Sequence, residues 1–156
     1  MNVRPASLAD APALARLRWA FGAETGWSDP NADYAAFEAR FTRFVSDGLA
    51  SGRWALWVAE VDDQIVANLF VQIIDPVPSP GKPEQKFGWI FNVYTLPEYR
   101  NQGIGSALMQ RVIEWGTAQR FESLNLWHSP GSVAYYERLG FTHTPDEFMM
   151  MLDERK

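Results

Sequence analysis

The sequence contains no cysteine and only two histidines, His128 and His143, among its 156 residues. Without cysteine there is no disulfide framework, no zinc-finger spacing and no thiol nucleophile. The two histidines lack the spacing of metal ligands, so we predict no metal site. The chain also lacks the Gly-x-Ser-x-Gly elbow of serine hydrolases. Nothing in the sequence therefore indicates an acyl-enzyme intermediate.

Long apolar runs and excess positive charge are also missing. No apolar run approaches the length of a membrane span, and residues 1–4 lead into no apolar signal segment. The net charge of −5 disfavours nucleic acid and anionic membranes, because phosphate backbones attract basic patches. We therefore expect a cytoplasmic protein, monomeric or homodimeric, with no nucleic-acid or membrane partner.

What the sequence does contain is apolar and aromatic material for a core. Hydrophobic residues make up 47% of the chain and aromatic residues 14%, which is typical of a packed globule. The length suits one domain, and no repeat or long linker divides it. We therefore predict a single domain over residues 1–156.

Extended and helical patterns alternate along the chain. Asp10 is a plausible cap for a first helix ending at Gly22, and residues 22–32 read as a loop. A second helix is predicted from Asp33, with Phe37 on its aromatic face. That face suits either core packing or the wall of a binding site.

The later elements read mainly as strands. Two runs around a tight acidic turn, residues 62–63, predict a hairpin, and the proline-rich residues 75–86 predict a loop that could cover a site. Further strands are expected at residues 87–95 and 122–128, at Phe141 and at residues 148–152. Strands before and after helices indicate an α/β or α+β fold with a mixed sheet.

The stretch from Phe87 to Trp115 orders a strand, a glycine turn and a helix. Pro97 ends the strand, Gly103 and Gly105 form the turn, and an apolar stripe at helical spacing follows. The first amides of a helix lack internal partners, and glycine lets a phosphate approach the backbone. A diphosphate docked on residues 101–106 would meet a ring of N–H donors.

Two common phosphate motifs do not match this stretch. A Walker loop needs Lys followed by Ser or Thr after its last glycine, but Ser106 and Ala107 follow Gly105. A dinucleotide fingerprint needs a small residue where Leu108 stands. An ordinary glycine-capped helix remains the alternative to an anion site.

The whole segment Val-Tyr-Thr-Leu-Pro-Glu-Tyr-Arg-Asn-Gln-Gly-Ile-Gly resembles the GNAT superfamily of N-acetyltransferases. Its last six residues match the Arg/Gln-x-x-Gly-x-Gly/Ala signature of that family. The resemblance implies a mixed, mostly antiparallel sheet of six to seven strands flanked by about four helices. It also implies acetyl-CoA as cosubstrate, with the pantetheine arm on the strand and the pyrophosphate on the turn.

A second resemblance lies in Tyr-Tyr-Glu-Arg-Leu-Gly-Phe, residues 135–141. Tyr136 matches the family tyrosine, whose phenol can protonate a leaving thiolate; the alternative is a tyrosine packed between helix and sheet. Ser129 stands where the family often has an asparagine that contacts pantetheine. The predicted coenzyme-binding residues are Val93, Tyr94, Thr95, Arg100, Asn101, Gln102, Gly103, Ile104, Gly105, Ser106 and Ser129.

The base and the acceptor site are less well marked. His128 follows the fifth predicted strand and has the chemistry of a general base, although it could equally cap the strand. Glu24 and Asp29 could bind a cationic amine or relay its proton, and Trp27 could stack on it. With Phe37 they form the predicted acceptor site, which we expect between residues 22–44 and the loop 75–86.

These patterns predict an N-acetyltransferase that moves acetyl directly from acetyl-CoA to a primary amine of a small molecule, protein or peptide. A rival hypothesis is a non-catalytic acyl-CoA sensor of the same fold, which the absence of a carboxylate from residues 87–94 favours weakly. A nucleotide-binding regulator is a weaker rival because its fingerprint is missing.

Overall fold

One five-stranded sheet and four α-helices make up the part of the chain that the structure, a computed structural model, describes: residues 1–144 and 150. The strands, in sheet order, are β1 (Asn2–Pro5), β2 (Trp54–Val61), β3 (Gln64–Ile74), β4 (Phe87–Thr95) and β5 (Ser123–Leu126). The helices are α1 (Ala11–Thr25), α2 (Tyr34–Ser51), α3 (Ile104–Ala118) and α4 (Val133–Arg138).

The sheet is mixed, as predicted. Each strand pairs antiparallel with the next except β4 and β5, which run parallel. The α+β fold and the four helices are confirmed, but the expected six to seven strands are wrong for the described residues, which form five. Phe141, where another strand was expected to begin, lies outside any strand. The strand expected at residues 148–152 falls outside the described residues except for residue 150.

Two apolar layers cover the two faces of the sheet. On one face α3 buries Leu108 and Met109 against Leu69 of β3. On the other face α1 and α2 bury Leu14 and Val45 against the sheet. Successive strand residues point to opposite faces, so β2 and β3 contribute side chains to both apolar layers. We call these sides the α3 face and the α1–α2 face.

Helix α1 runs further than its sequence indicates. Asp10 precedes its first residue as predicted, but the helix continues past Gly22 to Thr25 and ends at the left-handed Gly26. The predicted end at Gly22 is wrong because this glycine serves packing: a Cβ there would collide with the Ser28 side chain. Glu24, predicted in a loop, therefore lies in the last turn of α1.

The proline-rich loop 75–86 folds against the start of β5 and the end of α3. Gln85 Nε2 donates to Glu122 Oε2 at 2.6 Å, and the Glu122 N–H donates to the Lys86 carbonyl at 2.9 Å. The loop therefore adjoins the first residue of β4, whereas the glycine turn follows its last residue. Among the described residues no hydrogen bond joins this loop to residues 22–44, and the expected acceptor site between the two segments stays a prediction.

Candidate active site

The glycine turn presents unpaired main-chain amides at the start of α3. Gly103 is the N-cap residue with φ of +79°, and Asn101 is also left-handed with φ of +59°. No side chain of the described chain caps the helix. The first N–H groups of α3 therefore point outward without partners, together with the positive end of the helix dipole. This arrangement suits an anion such as a diphosphate.

Side chains of the same turn hold its shape. Arg100 Nε donates to the Thr95 carbonyl at 2.9 Å, and Gln102 Nε2 donates to the Glu98 carbonyl at 3.0 Å. Two polar side chains of the signature thus bind the chain's own backbone. The amides of the turn, rather than these side chains, are its open donors.

Strands β4 and β5 diverge next to this turn. They pair only from Phe87 with Ser123 to Ile90 with Leu126, and β4 then continues to Thr95. The edge of residues 91–95 that faces away from β3 is left without a paired strand in the described chain. Such an edge can bind an extended chain through main-chain hydrogen bonds. Val93, Tyr94 and Thr95 all lie on it, although Arg100 already occupies the Thr95 carbonyl.

A bulge bends β4 at the same place. Asn68 of β3 stands opposite Tyr94 and Phe70 stands opposite Phe91, so two β4 residues face one residue of β3. Asn92, in the bulge, has φ of +53°. Its carbonyl accepts a hydrogen bond from the buried Asn68 Nδ2. The bulge turns the Asn92 side chain toward α1, where Arg18 Nη1 donates to its Oδ1 at 3.2 Å.

Glu24 forms hydrogen bonds with two of the predicted coenzyme-binding residues. Its Oε2 accepts hydrogen bonds from Tyr94 Oη at 3.0 Å and from Arg100 Nη2 at 2.8 Å. The hydrogen bond from Arg100 lowers the pKa of Glu24, and burial together with Glu24 raises the pKa of Tyr94. Glu24 therefore stays ionised at neutral pH and ties the end of α1 to β4.

The two adjacent tyrosines of α4 have different surroundings. Tyr136 is half-buried beside Phe141, with ring centroids 5.7 Å apart, and burial raises its pKa to about 12. Tyr135 reaches the glycine turn, since a Cβ built on Gly105 would lie 3.3 Å from its Oη. Tyr136 is therefore protonated at neutral pH, and Tyr135 stands beside the predicted pyrophosphate site.

The predicted base His128 lies in the exposed segment after β5. Its Nδ1 is 3.1 Å from the Ser129 carbonyl, and its ring centroid is 5.0 Å from that of His143. An Nδ1–H donated to that carbonyl leaves Nε2 as the acceptor of a proton. Sequence reading did not bring the two histidines together. Ser129 is exposed, and the predicted coenzyme contact of its side chain stays a prediction.

A cavity of about 590 Å³ opens between α1, α2 and the loop that joins them. Its lining includes three of the predicted acceptor residues, Trp27, Asp29 and Phe37, but not Glu24. Trp27 is 79% exposed. Asp29 Oδ1 accepts the Asn31 N–H at 2.9 Å. Arg18, which sequence reading missed, also lines the cavity and connects it to β4.

Arg18 and Asn92 lacked any signal that could have singled them out. Arg18 is one of several arginines in the first half of the chain, and Asn92 stands inside an aromatic strand pattern. Only the bulge brings their side chains together.

The described residues contain no group of three or more His, Cys, Asp or Glu placed to hold a metal ion. None of the helices described is long and apolar enough to cross a membrane.

Comparison with known proteins places this geometry in a family. Residues 14–141 match the model of the Acetyltransferase (GNAT) family. The rat N-acetyltransferase 8B is 30% identical over 99 residues, covering 62% of this chain and 43% of that protein. The chain thus matches less than half the length of this curated relative.

Two solved structures share the whole architecture. A predicted acetyltransferase from Clostridium acetobutylicum, solved with acetyl-CoA, has a TM-score of 0.80 and 26% identity, covering 97% of this chain and 96% of that chain. A GCN5-related N-acetyltransferase from Ralstonia eutropha JMP134 has a TM-score of 0.74 and 27% identity, covering 96% and 97% of the respective chains. On the match to its family model, the chain belongs to the GNAT family of acetyltransferases.

Proposed function

We propose that the protein transfers an acetyl group from acetyl-CoA directly to a primary amine of a small molecule or peptide. One observation carries the proposal: the uncapped amides at the start of α3 lie next to the unpaired edge of β4. The turn suits a diphosphate and the edge suits an extended amide-bearing arm, which are the two parts of coenzyme A. The acetyl-CoA in the Clostridium acetobutylicum structure supports this assignment.

The coenzyme would be held mainly by main-chain groups. The amides of residues 101–106 would bind the pyrophosphate, and residues 93–95 would pair with the pantetheine arm. Acetyl-CoA supplies the acetyl thioester. An N–H of residues 93–95 would donate a hydrogen bond to the thioester oxygen, which gains negative charge during transfer. Holding the thioester beside the amine supplies much of the rate.

Proton transfer would be divided between two side chains. Tyr136 keeps its proton at neutral pH because burial raises its pKa to about 12, so it can donate to the leaving thiolate. No other described residue forms a hydrogen bond with its hydroxyl. His128, with Nε2 as acceptor, is the proposed base for the ammonium, directly or through water. No metal is needed for these steps.

The acceptor would enter the cavity between α1 and α2. Trp27 and Phe37 supply aromatic walls, and Phe37 packs against Trp19 with ring centroids 5.4 Å apart. Glu24 and Asp29 were predicted to bind a cation. Both already accept hydrogen bonds, so their part in acceptor binding stays a prediction.

A panel of amines, each incubated with the purified protein and acetyl-CoA, tests the proposal through release of free thiol. Thiol release that depends on one class of amine is the expected result. A protein that binds acetyl-CoA in calorimetry yet releases no thiol with any amine would instead be a non-catalytic acyl-CoA sensor. Absence of acetyl-CoA binding would overturn both functions.

A further inference from the structure

Arg18 of α1 has the geometry of an anion-binding residue in the acceptor site. We infer that the acceptor carries an oxyanion, a carboxylate or a phosphate, in addition to its amine, and that the Arg18 guanidinium binds this oxyanion. The inference rests on the proposed function, since it names the class of acceptor for that same site.

Three observations place Arg18 where an acceptor would lie. It lines the cavity between α1 and α2, and it reaches the β4 bulge through its 3.2 Å hydrogen bond to Asn92 Oδ1. Its guanidinium carbon lies 5.4 Å from the centroid of the Phe21 ring. The side chain thus joins the cavity to the strand that is proposed to hold the thioester.

Arg18 has no carboxylate partner in the described chain, unlike Arg4, which is also partly buried, and unlike the exposed Arg100. Arg4 binds Asp10 and Glu60, each at 2.8 Å, and Arg100 binds Glu24 at 2.8 Å. Among the described residues, Arg18 forms its hydrogen bond with the neutral side-chain amide of Asn92. Burial lowers the pKa of Arg18, which reflects the cost of holding its charge away from water. Charges in such places are normally paired.

An unpaired donor belongs to the same amide that Arg18 binds. Asn92 Nδ2 is buried and has no hydrogen-bond partner among the described residues. Arg18 retains N–H groups beyond the one bound to Asn92, because a guanidinium carries five. An oxyanion accepts several hydrogen bonds at once, and two parallel N–H groups of arginine match its geometry.

The charged residues that line the cavity are consistent with an anionic acceptor. Arg18, Arg40 and Arg43 are its basic residues, and Asp29 and Asp33 are its acidic residues. Both aspartates are used locally: Asp29 accepts the Asn31 N–H, and Asp33 caps α2 through the Ala35 N–H. The expectation of a cationic acceptor rested on Glu24 and Asp29, of which Glu24 does not line this cavity.

Aromatic rings near the bulge indicate the rest of the acceptor. Phe91 contacts Trp54 on the α1–α2 face, with centroids 5.7 Å apart, and contacts Trp127 at 5.9 Å. Trp89 and Trp127 lie 4.9 Å apart. Amino acids with large apolar side chains carry the amine, the carboxylate and the apolar group that this site would bind.

Matched pairs of amines test the inference with the full chain and acetyl-CoA. Tryptophan is compared with tryptamine, phenylalanine with phenethylamine, and glucosamine 6-phosphate with glucosamine, each by thiol release. We expect the anionic member of at least one pair to have a kcat/KM about 10-fold or more above its neutral partner. The amino-acid pairs test whether the bound oxyanion is a carboxylate, and the sugar pair tests whether it is a phosphate.

Variants of two arginines on α1 assign the preference to Arg18. Arg18→Gln should raise the KM for the anionic member by roughly 10- to 100-fold and change the KM for its partner less than about 3-fold. Arg18→Lys keeps the positive charge but loses the two parallel N–H groups of the guanidinium. It should therefore keep part of the preference for the anionic member. Arg16→Gln removes the same charge from an exposed position and should leave the preference intact.

The outcomes separate this inference from the proposed function. Thiol release with equal or greater rates for the neutral members would overturn the inference and leave the acetyltransferase standing. An Arg18→Gln variant that loses activity equally on both members would show a structural role only. If Arg18→Gln does not fold, the preference of the wild type and of Arg18→Lys decides. No thiol release with any amine would overturn the proposed function itself.

Discussion

The proposed coenzyme side and the proposed acceptor side of this molecule differ in the groups that they offer. On the proposed coenzyme side these are main-chain amides at the start of α3 and the edge of β4 that has no paired strand in the described chain. On the proposed acceptor side they are side chains of α1 and α2, among them Arg18 and Phe37. Main-chain binding requires residues that allow the backbone its shape. Side-chain binding requires only that the right groups meet after folding.

Two arginines make the same contrast. Arg100 is tied to the Thr95 carbonyl and to Glu24, so it fixes the turn. Arg18 has no carboxylate partner among the described residues and binds the neutral amide of Asn92, so its charge is proposed to bind a ligand. The arginine that belongs to a recognisable motif therefore has a structural position in the described chain. The arginine without a motif is the better candidate for ligand recognition.

The largest effect is expected from Gly105→Glu on the coenzyme side. A Cβ at this position would lie 3.3 Å from Tyr135 Oη, and a carboxylate beyond it would meet the incoming phosphates. We expect acetyl-CoA affinity to fall about 100-fold or more, measured by calorimetry. Gln110→Glu adds the same charge at an exposed position of α3 and should bind normally. Unchanged affinity in a folded Gly105→Glu protein would remove the pyrophosphate from this turn.

The second prediction compares the two tyrosines of α4. Tyr136→Phe keeps the ring beside Phe141 and removes the proton, so kcat should fall roughly 10- to 100-fold with acetyl-CoA affinity nearly unchanged. Tyr135→Phe, whose lost hydroxyl borders Gly105, should change acetyl-CoA affinity more than kcat. Steady-state kinetics with the best amine of the panel separates kcat from KM.

The pH dependence of kcat sharpens the same prediction. Because the pKa of Tyr136 is raised to about 12, this acid keeps its proton throughout the working range, and kcat should show no fall between neutral pH and about pH 10 from this group. A fall in that interval, absent in Tyr136→Phe, would contradict the raised pKa. The reverse result, with Tyr135→Phe inactive and Tyr136→Phe active, would move the acid by one residue.

The order of the elements and the coenzyme turn could be predicted from the sequence because each has a local physical cause. Pro97 cannot continue a strand, and Gly103 adopts a left-handed φ that other residues rarely take. Helix α2 begins beside Asp33, where a helix was predicted to start. These signals lie within a few residues of what they determine, so they can be read without the fold.

Other features depend on contacts between distant residues. Gly22 resembles a helix end, yet it allows close approach of Ser28 and the helix continues. The Arg18–Asn92 contact spans 74 positions and requires both the packing of α1 against the sheet and the bulge in β4. A one-dimensional pattern contains neither condition. The sequence therefore could not single out Arg18, and the predicted place of the acceptor between residues 22–44 and 75–86 stays a prediction.

The smallest effect is expected at the start of α1, where hydrogen bonds join this helix to the sheet. This position is far in sequence from both α3 and α4. Asp10, at the start of α1, accepts hydrogen bonds from Arg4 Nη1 at 2.8 Å and from the Ser7 N–H at 2.7 Å. The hydrogen bond from Arg4 is the first cause that lowers the pKa of Asp10 from 3.8 to about 2. Asp10→Asn should lower the free energy of unfolding by about 1–2 kcal/mol at neutral pH, or Tm by roughly 3–6 °C.

The sign of the pH dependence identifies this carboxylate as the cause. Because folding lowers the pKa of Asp10, its stabilisation is complete above its ordinary pKa of 3.8 and is lost as pH falls through about 2. The difference in Tm between wild type and Asp10→Asn should therefore shrink in acid, whereas the exposed Asp47→Asn should match wild type throughout. Acetyl-CoA affinity should stay unchanged in Asp10→Asn, because neither Arg4 nor Asp10 belongs to the glycine turn or to residues 91–95 of β4. A loss of acetyl-CoA affinity with the loss of this anchor would show that the two sides fold and bind as one unit.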